Sequence, residues 1–282
     1  MGEDDTELAV AVRAAMAERG DPVSRLGYFC APFRPSAGPL RDQVVKTYRG
    51  GRDPALMTIL ADRHAAYVAC LAGAGVRLPA TRFLLLEEAG FTRPVVVQQA
   101  LPSDSMLRDR LITAEIQPAL RMLTQAADSI VAFWQVIADR PERIGYHPSI
   151  RNFALDARGP IFFDTFPPLI GYSRAEMGQL LLRFSESALI RGIGPVLPER
   201  IRAIQDEWYW PAGTILGLVG SAVRLRPGDG GAILTWARNF AETRLGGAMK
   251  EEVLAELDAP PRLPPLWTST RRILGLEGKP NV

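Results

Sequence analysis

Asn152 and Asp164 are the two polar residues whose types and spacing most directly suggest chemistry. They flank a segment that predicts a β-hairpin, with strands at Asn152–Leu155 and Pro160–Phe163 and a tight turn at Asp156–Gly159. A two-stranded ribbon carries both residues to the same end, where their side-chain oxygens can share one hard cation. Mg²⁺ beside a nucleotide phosphate is held by such ligands.

The segment Gly145–Pro168 resembles the catalytic-loop and metal-loop hairpin of the protein-kinase-like fold, in particular its aminoglycoside and choline phosphotransferase branch. That branch reads approximately H-G-D-x-H-x-x-N, followed by a hairpin and then I-D, and Asn152 and Asp164 match its Asn and its final Asp. The resemblance implies that both residues bind Mg²⁺ and that ATP lies between two lobes. A structural alternative is that Asn152 caps the strand and Asp164 closes an Asx turn.

Lys46, in the predicted strand Gln43–Tyr48, is the residue that the resemblance assigns to the ATP phosphates. The alternative is a lysine on an edge strand that points into water, since polar positions often alternate along strands. The resemblance also places Gln98 and Gln99 at a strand end where backbone groups contact adenine, so their side chains need not take part.

The position of the catalytic base is the weakest part of the match. His147 stands five residues before Asn152, where the family has its catalytic aspartate. A second alignment pairs His147 and Pro148 with the family's own H-P and puts Gly145 at the aspartate position. The histidine, whose ordinary pKa is about 6.5, either acts as the base or holds the loop. Arg151 either brings positive charge to the phosphoryl group or pairs with a surface carboxylate.

Two further parts of the kinase pattern are missing from the sequence. The region between residues 26 and 43 contains only Gly27 and Gly38, which do not make a glycine-rich phosphate loop. The helix after Lys46 has no glutamate in the phase that would pair with it; Asp62 and His64 are the nearest polar residues, and Asp62 is expected to be exposed to solvent.

Composition restricts the function only broadly. The chain has 282 residues, 47% of them hydrophobic and 23% charged, and a net charge of +2, which argues against nucleic acid or an anionic membrane as a partner. Cys30 and Cys70 have no CxxC spacing and are expected to be reduced core thiols of a cytoplasmic protein. The apolar stretch Pro211–Val223 is too short to span a bilayer, and no signal peptide is expected. With only two histidines, a histidine-rich zinc site is excluded.

The elements that must position these residues follow a recognisable order. An amphipathic helix at Glu7–Arg19 precedes the predicted strands, with Pro54–Gly73 as a helix between them and Leu111–Asp139 as a long helix that Pro118 breaks or kinks. Besides Gln43–Tyr48, strands are predicted at Ser24–Phe33, Thr81–Glu87 and Pro94–Ala100, and later helices at Arg174–Ile190, Pro198–Tyr209, Pro211–Arg224, Gly230–Leu245 and Ala248–Leu257.

The expected fold is therefore α+β and bilobal. Residues 1–23 form a helical extension, 24–102 a small antiparallel β-rich lobe with one helix, and 103–282 a mostly helical lobe that contains the hairpin region 145–168. The expected function is ATP- and Mg²⁺-dependent phosphoryl transfer to a small molecule. Two alternatives stay open: a kinase-like protein that has lost catalysis and binds or regulates a protein partner, and an unrelated α+β fold in which the hairpin match is coincidental.

Overall fold

The computed structural model describes residues 3–18, 29–30, 32–185 and 205–258, and within them the protein is α+β with two small antiparallel sheets. Short 3₁₀ turns occur at Ser103–Ser105, Glu207–Tyr209 and Pro227–Asp229. In chain order the longer elements are α1 (Glu3–Glu18), β1 (Gln43–Thr47), α2 (Pro54–Gly73), β2 (Thr81–Glu88), β3 (Phe91–Gln99), α3 (Leu107–Thr113), α4 (Ile116–Ile137), β4 (Phe153–Asp156), β5 (Gly159–Phe162), α5 (Arg174–Phe184), α6 (Pro211–Leu225), α7 (Gly230–Arg244) and α8 (Gly247–Asp258).

The first sheet has the strand order β1-β3-β2, and its two faces have different roles. Lys46 and Phe83 both lie opposite Val96, so these three residues share one face, because side chains alternate along a strand. The opposite face is apolar and packs against α1. Its buried residues, with those of α1, are Ala9, Val12, Ala15, Val45, Leu84, Leu86, Val95 and Val97. The face that carries Lys46 is therefore turned away from α1.

Helix α2 has the bounds that the sequence predicts. The side chain of Asp53 accepts a hydrogen bond of 3.1 Å from the backbone N–H of Leu56, and Pro54 occupies the first turn, where its missing N–H needs no partner. By length and composition alone this helix is apolar enough to cross a membrane. In the structure it packs on β2 and β3 and buries Met57, Leu60, His64, Tyr67, Cys70 and Leu71.

The long predicted helix is divided at a different residue from the one expected. Helix α3 ends at Thr113, and Ala114 and Glu115 are extended before α4 begins at Ile116. Pro118 lies in the first turn of α4, where a proline is tolerated, so of the predicted break or kink at Pro118 the break was wrong. Helix α4 is the centre of the helical half and contacts both α6 and α7, with the indole N–H of Trp134 donating a 2.8 Å hydrogen bond to Thr214.

The second sheet is the predicted hairpin, shifted by one residue. Strands β4 and β5 are antiparallel with Phe153 opposite Phe162 and Asp156 opposite Gly159. Phe162 donates its backbone N–H to the carbonyl of Arg77, 2.8 Å away, so the hairpin is attached to the segment that joins α2 to β2.

Several predicted elements are corrected or lie outside the described residues. Of the predicted strand Ser24–Phe33, residues 24–28 and 31 lie outside them, and Phe33 forms only an isolated bridge with Val45. Helix α5 ends at Phe184, because Ser185 is extended; the rest of the predicted helix, 186–190, lies outside. The prediction of one helix to Tyr209 was wrong in its last turn, which is 3₁₀, and residues 198–204 lie outside.

Candidate functional site

Lys46 lies directly against the residue that precedes Asp164. Its Nζ donates a 2.7 Å hydrogen bond to the backbone carbonyl of Phe163 and lies 5.4 Å from the centroid of the Phe163 ring. The residue is only 9% exposed, so the alternative of a lysine pointing into water is wrong. Burial lowers the pKa of Lys46, while the negative charge of Asp164 acts in the opposite direction.

Asn152 and Asp164 are in contact at the end of the hairpin. The Nδ2 of Asn152 donates to the carboxylate Oδ2 of Asp164 at 3.0 Å and to the backbone carbonyl of His147 at 2.8 Å. The Oδ1 atoms of both Asn152 and Asp164 accept no hydrogen bond from any residue that the structure describes. The side-chain amide of Asn152 is thus oriented by two acceptors, and the Oδ1 atoms of Asn152 and Asp164 are available to bind a ligand.

This donor set fits one kind of metal site and not another. Among the described residues there is no group of three or more His, Cys, Asp and Glu side chains that could hold a metal ion. Two neighbouring oxygen donors, one of them charged, fit Mg²⁺, which keeps several waters and completes its coordination with substrate phosphates. They do not fit an ion that needs a full set of protein ligands, such as structural zinc.

His147 completes a three-residue network with Asn152 and Asp164. Its Nδ1 lies 3.5 Å from Oδ2 of Asp164 and 3.4 Å from Nδ2 of Asn152. Its ring packs against Trp208 with centroids 4.5 Å apart, and 36% of the side chain is exposed. Because the carboxylate faces Nδ1, Nε2 is the ring nitrogen available to a ligand.

Helix α2 carries His64, and not a glutamate, in the region where the kinase pattern has the partner of Lys46. His64 on α2 contacts the hydroxyl of Thr165, the residue after Asp164, with Nε2 and Oγ1 3.0 Å apart. Its ring stacks on Phe83, and burial lowers its pKa to about 4, with the charge of Lys46 acting in the same direction. His64 is therefore neutral at pH 7, and Lys46 donates to the backbone carbonyl of Phe163 rather than to a carboxylate on α2. Asp62 is exposed, as predicted.

The two glutamines do not belong to this network. Gln98 is 2% exposed, and its Nε2 donates to the hydroxyl of Thr81 at 3.0 Å. Gln99 is exposed, and its backbone N–H donates to Ala80 at 2.9 Å, while the next N–H along, that of Ala100, is also bonded within the lobe. The backbone donors at this strand end are therefore already used.

Arg151 stands beside Asn152 with a half-buried side chain, and its backbone N–H donates to the hydroxyl of Ser149 at 3.3 Å. Cys30 and Cys70 are both buried, and neither forms a disulfide, as predicted.

Sequence reasoning missed how closely the loop before His147 is packed. A Cβ on Gly145 would lie 2.8 Å from the carbonyl of Trp208 and 3.0 Å from the ring of Tyr209. The backbone N–H of Tyr146 donates to that same carbonyl at 2.7 Å, and Tyr67 donates to the carbonyl of Gly145 at 3.1 Å. The glycine in the motif was the available signal, because close backbone approach is a common reason for glycine in a loop.

The fold and the site define an α+β protein in which a buried lysine, an asparagine, an aspartate and a histidine meet at one end of a β-hairpin. Residues 7–278 match a family described as "Family of unknown function (DUF6206)", and the chain belongs to that family. Comparison with curated proteins gives no match.

Proposed function

We propose that this protein is a kinase-like phosphotransferase that binds a nucleotide triphosphate with Mg²⁺ and transfers phosphate to a small molecule. The observation that carries the proposal is the convergence of three residues that the resemblance assigns to phosphate and metal. Lys46 bonds to the residue before Asp164, and Asn152 bonds to Asp164 itself. These contacts join positions 117 and 12 residues apart in the chain.

The order of elements also supports a bilobal kinase-like arrangement. The strand that carries Lys46 is followed by α2, by β2 and β3, by the helix α4 and then by the hairpin that carries Asn152 and Asp164. In that arrangement the ammonium of Lys46 neutralises phosphate oxygens, and Asn152 and Asp164 hold Mg²⁺, which supplies charge neutralisation to the transferred phosphoryl group.

His147 is the residue proposed as the base. Its Nε2 accepts the proton of the acceptor hydroxyl as that oxygen bonds to the γ-phosphorus, and the bond between the γ-phosphorus and the bridging oxygen breaks to release the nucleoside diphosphate. Asp164, 3.5 Å from Nδ1, favours the tautomer in which Nδ1 carries hydrogen and leaves Nε2 as the acceptor.

A second candidate is a nucleotide-binding or regulatory protein of the same fold without catalysis. The observation that favours it is the pairing of His64 with Thr165, because a neutral histidine replaces the carboxylate that would otherwise hold Lys46. In this case the lysine, asparagine and aspartate bind a nucleotide, and the ligand-bound protein contacts a partner.

The test is thermal unfolding of the full chain with ATP, ADP and GTP, each with and without Mg²⁺, because a ligand that binds only the native state raises the melting temperature. We expect a Mg²⁺-dependent rise for the wild-type protein that is lost in Asp164→Ala and reduced in Asn152→Ala. Asp139→Ala is the matched control, since Asp139 is exposed and makes no contact with the site.

Turnover separates the two candidates. Release of nucleoside diphosphate in the presence of a panel of small hydroxyl and amine acceptors, reduced in His147→Gln, supports the phosphotransferase. Nucleotide binding that persists in His147→Gln, with no turnover by the wild-type protein, supports the non-catalytic candidate. The absence of any shift at millimolar nucleotide overturns both.

A further inference from the structure

Arg63 and Arg143 are two arginines that form no ion pair with a carboxylate among the described residues. Arg63 donates to the carbonyl of Ile170 at 2.9 Å. Arg143 donates to the carbonyl of Tyr172 at 3.4 Å and to the amide oxygen of Gln205 at 3.3 Å, and its guanidinium also interacts with the hydroxyl of Tyr209. Neither forms an ion pair in the described ranges, although both are partly buried and burial lowers the pKa of Arg143. Withdrawing a cation from water without an anionic partner is costly.

Each arginine lies over a tyrosine ring. The Cζ of Arg63 is 4.4 Å from the ring centroid of Tyr172, and the Cζ of Arg143 is 3.3 Å from that of Tyr209. Both tyrosine hydroxyls are buried, and Tyr172 as a whole is only 4% exposed. The hydroxyl of Tyr172 has no hydrogen-bond partner among the described residues, and that of Tyr209 interacts there only with the guanidinium of Arg143. Buried hydroxyls nearly always have a partner, so the hydroxyl of Tyr172 and the O–H donor of Tyr209 have unused hydrogen-bonding capacity.

The four side chains, here called the arginine–tyrosine cluster (Arg63, Arg143, Tyr172 and Tyr209), converge on one region. The positive charges of Arg63 and Arg143 both act on the hydroxyl of Tyr209, which also feels Tyr172. Burial raises the pKa of Tyr172 to about 12 and raises that of Tyr209 as well. Both hydroxyls are therefore protonated at neutral pH and are able to donate.

The carboxylates next to the cluster are engaged elsewhere. Asp206 accepts hydrogen bonds from Nε and Nη2 of Arg174, the two shortest at 2.9 and 2.8 Å. Glu176 accepts from the backbone N–H of Ser173 at 2.8 Å, as part of the capping box of α5. The charges of Asp206 and Glu176 act on Arg143 and Arg63, but neither carboxylate forms an ion pair with these arginines among the described residues. The cluster thus presents two guanidinium groups and two hydroxyls that no described carboxylate contacts directly.

We propose that the arginine–tyrosine cluster binds the phosphate group of inorganic phosphate or of a small phosphate monoester. Phosphate accepts hydrogen bonds through all its oxygens, and guanidinium groups match its geometry with paired N–H donors. Arg63 lies on α2, Arg143 precedes Gly145, and Tyr172 precedes α5, so a bound phosphate joins these three segments. The inference does not depend on the proposed nucleotide site.

The test is thermal unfolding and calorimetric titration of the full chain with sodium phosphate, glycerol phosphate and sodium acetate, each against sodium chloride of equal ionic strength. Tyr172→Phe and Tyr209→Phe remove only the hydroxyl groups and keep the rings under the two guanidinium groups. Tyr146→Phe is the control, because its hydroxyl is also buried but interacts with Ser129, and its ring packs on Phe133 and Phe162 rather than on an arginine of the cluster.

We expect saturable binding of phosphate or of the monoester. We expect affinity to fall about tenfold in each of Tyr172→Phe and Tyr209→Phe and to be lost in Arg63→Gln, with no change in Tyr146→Phe. The stronger of the two phosphate ligands identifies the source of the group. If Arg63→Gln does not fold, the two tyrosine variants still decide the question.

Three results overturn the proposal. One is a rise in melting temperature with phosphate that equals the rise with sodium chloride, which shows that ionic strength alone stabilises the protein. Another is saturable binding of acetate without phosphate, which assigns the cluster to a carboxylate. The third is phosphate binding that is lost in Asp164→Ala and kept in both tyrosine variants, which places the ion at the other site.

Discussion

The ammonium of Lys46 and the backbone carbonyl of Phe163 form a 2.7 Å hydrogen bond between residues 117 positions apart. This bond places a buried cation immediately before Asp164, at the end of the hairpin. It also fixes the edge strand β1 to the second sheet. The candidate site therefore depends on the association of two parts of the chain that each fold locally.

Replacing Lys46 tests whether this bond stabilises the fold and whether the ammonium group contributes to nucleotide binding. Lys46→Met removes the charge and leaves the carbonyl of Phe163 without its donor, so we expect a lower melting temperature without ligand. We also expect Mg²⁺–nucleotide affinity to fall about 10- to 100-fold, the range for a hydrogen bond to a charged group. Titration calorimetry measures the affinity. Lys250→Met is the control, because Lys250 also donates to a carbonyl, that of Glu242, but at the surface.

His64 should make the protein sensitive to mild acid. Its folded pKa of about 4 is below the unfolded value of about 6.5, so the unfolded state binds the proton more tightly in this range. Stability is therefore full above about pH 6.5 and declines as pH falls toward 4, by about 3 kcal/mol in total from this group. Urea unfolding at pH 7.5, 6.0 and 5.0 measures the decline.

The variant His64→Gln should flatten this pH dependence between 5 and 7.5. The chain has only one other histidine, His147, so measuring His147→Gln in parallel shows which part of the wild-type slope belongs to each histidine. An unchanged slope in His64→Gln would contradict the assignment.

Arg77 should matter more to stability than its partly exposed position suggests. It pairs with Asp156 at 2.6 and 2.7 Å and also donates to the carbonyl of Gly159 at 3.0 Å, so it holds the hairpin turn. We expect Arg77→Ala to lower the melting temperature more than Asp156→Ala, because it removes both interactions. A double-mutant cycle isolates the ion pair.

The same pair has a predictable response to pH. The Arg77 guanidinium holds the pKa of Asp156 well below its usual range. The stabilisation is therefore present at neutral pH and is lost as pH falls through the lowered value of the folded state. Equal melting temperatures for wild type and Asp156→Ala at pH 7 would contradict the role of the pair.

Gly145 should not tolerate a methyl group. The added Cβ of Gly145→Ala would meet the carbonyl of Trp208 at 2.8 Å, which requires a backbone shift costing about 1–3 kcal/mol. Gly217→Ala, inside α6 with no atom within 4 Å of its Cβ, should instead stabilise by about 0.5–1 kcal/mol, because alanine favours helix. We expect chemical denaturation to show changes in the free energy of unfolding that have opposite signs in the two variants.

The sequence by itself determined the elements that depend on local signals. Helix α2 carries its own cap in Asp53 and Pro54, and the hairpin has a turn between two short apolar strands, so both were predictable. The contact of Asn152 with Asp164 followed from the hairpin, because a two-stranded ribbon fixes which residues meet at its end.

Only the tertiary structure decided how the remaining residues are used. Whether Lys46 faces solvent or the hairpin, and that His64 contacts Thr165, depends on how α2 and the first sheet pack against the loop after β5. The arginine–tyrosine cluster draws its residues from α2, from the loop before His147 and from the segments before α5 and α6. A local sequence pattern does not predict such contacts, because they are stabilised by the packing of segments that are distant in the chain. The burial that results from this packing then shifts the pKa of the titratable groups.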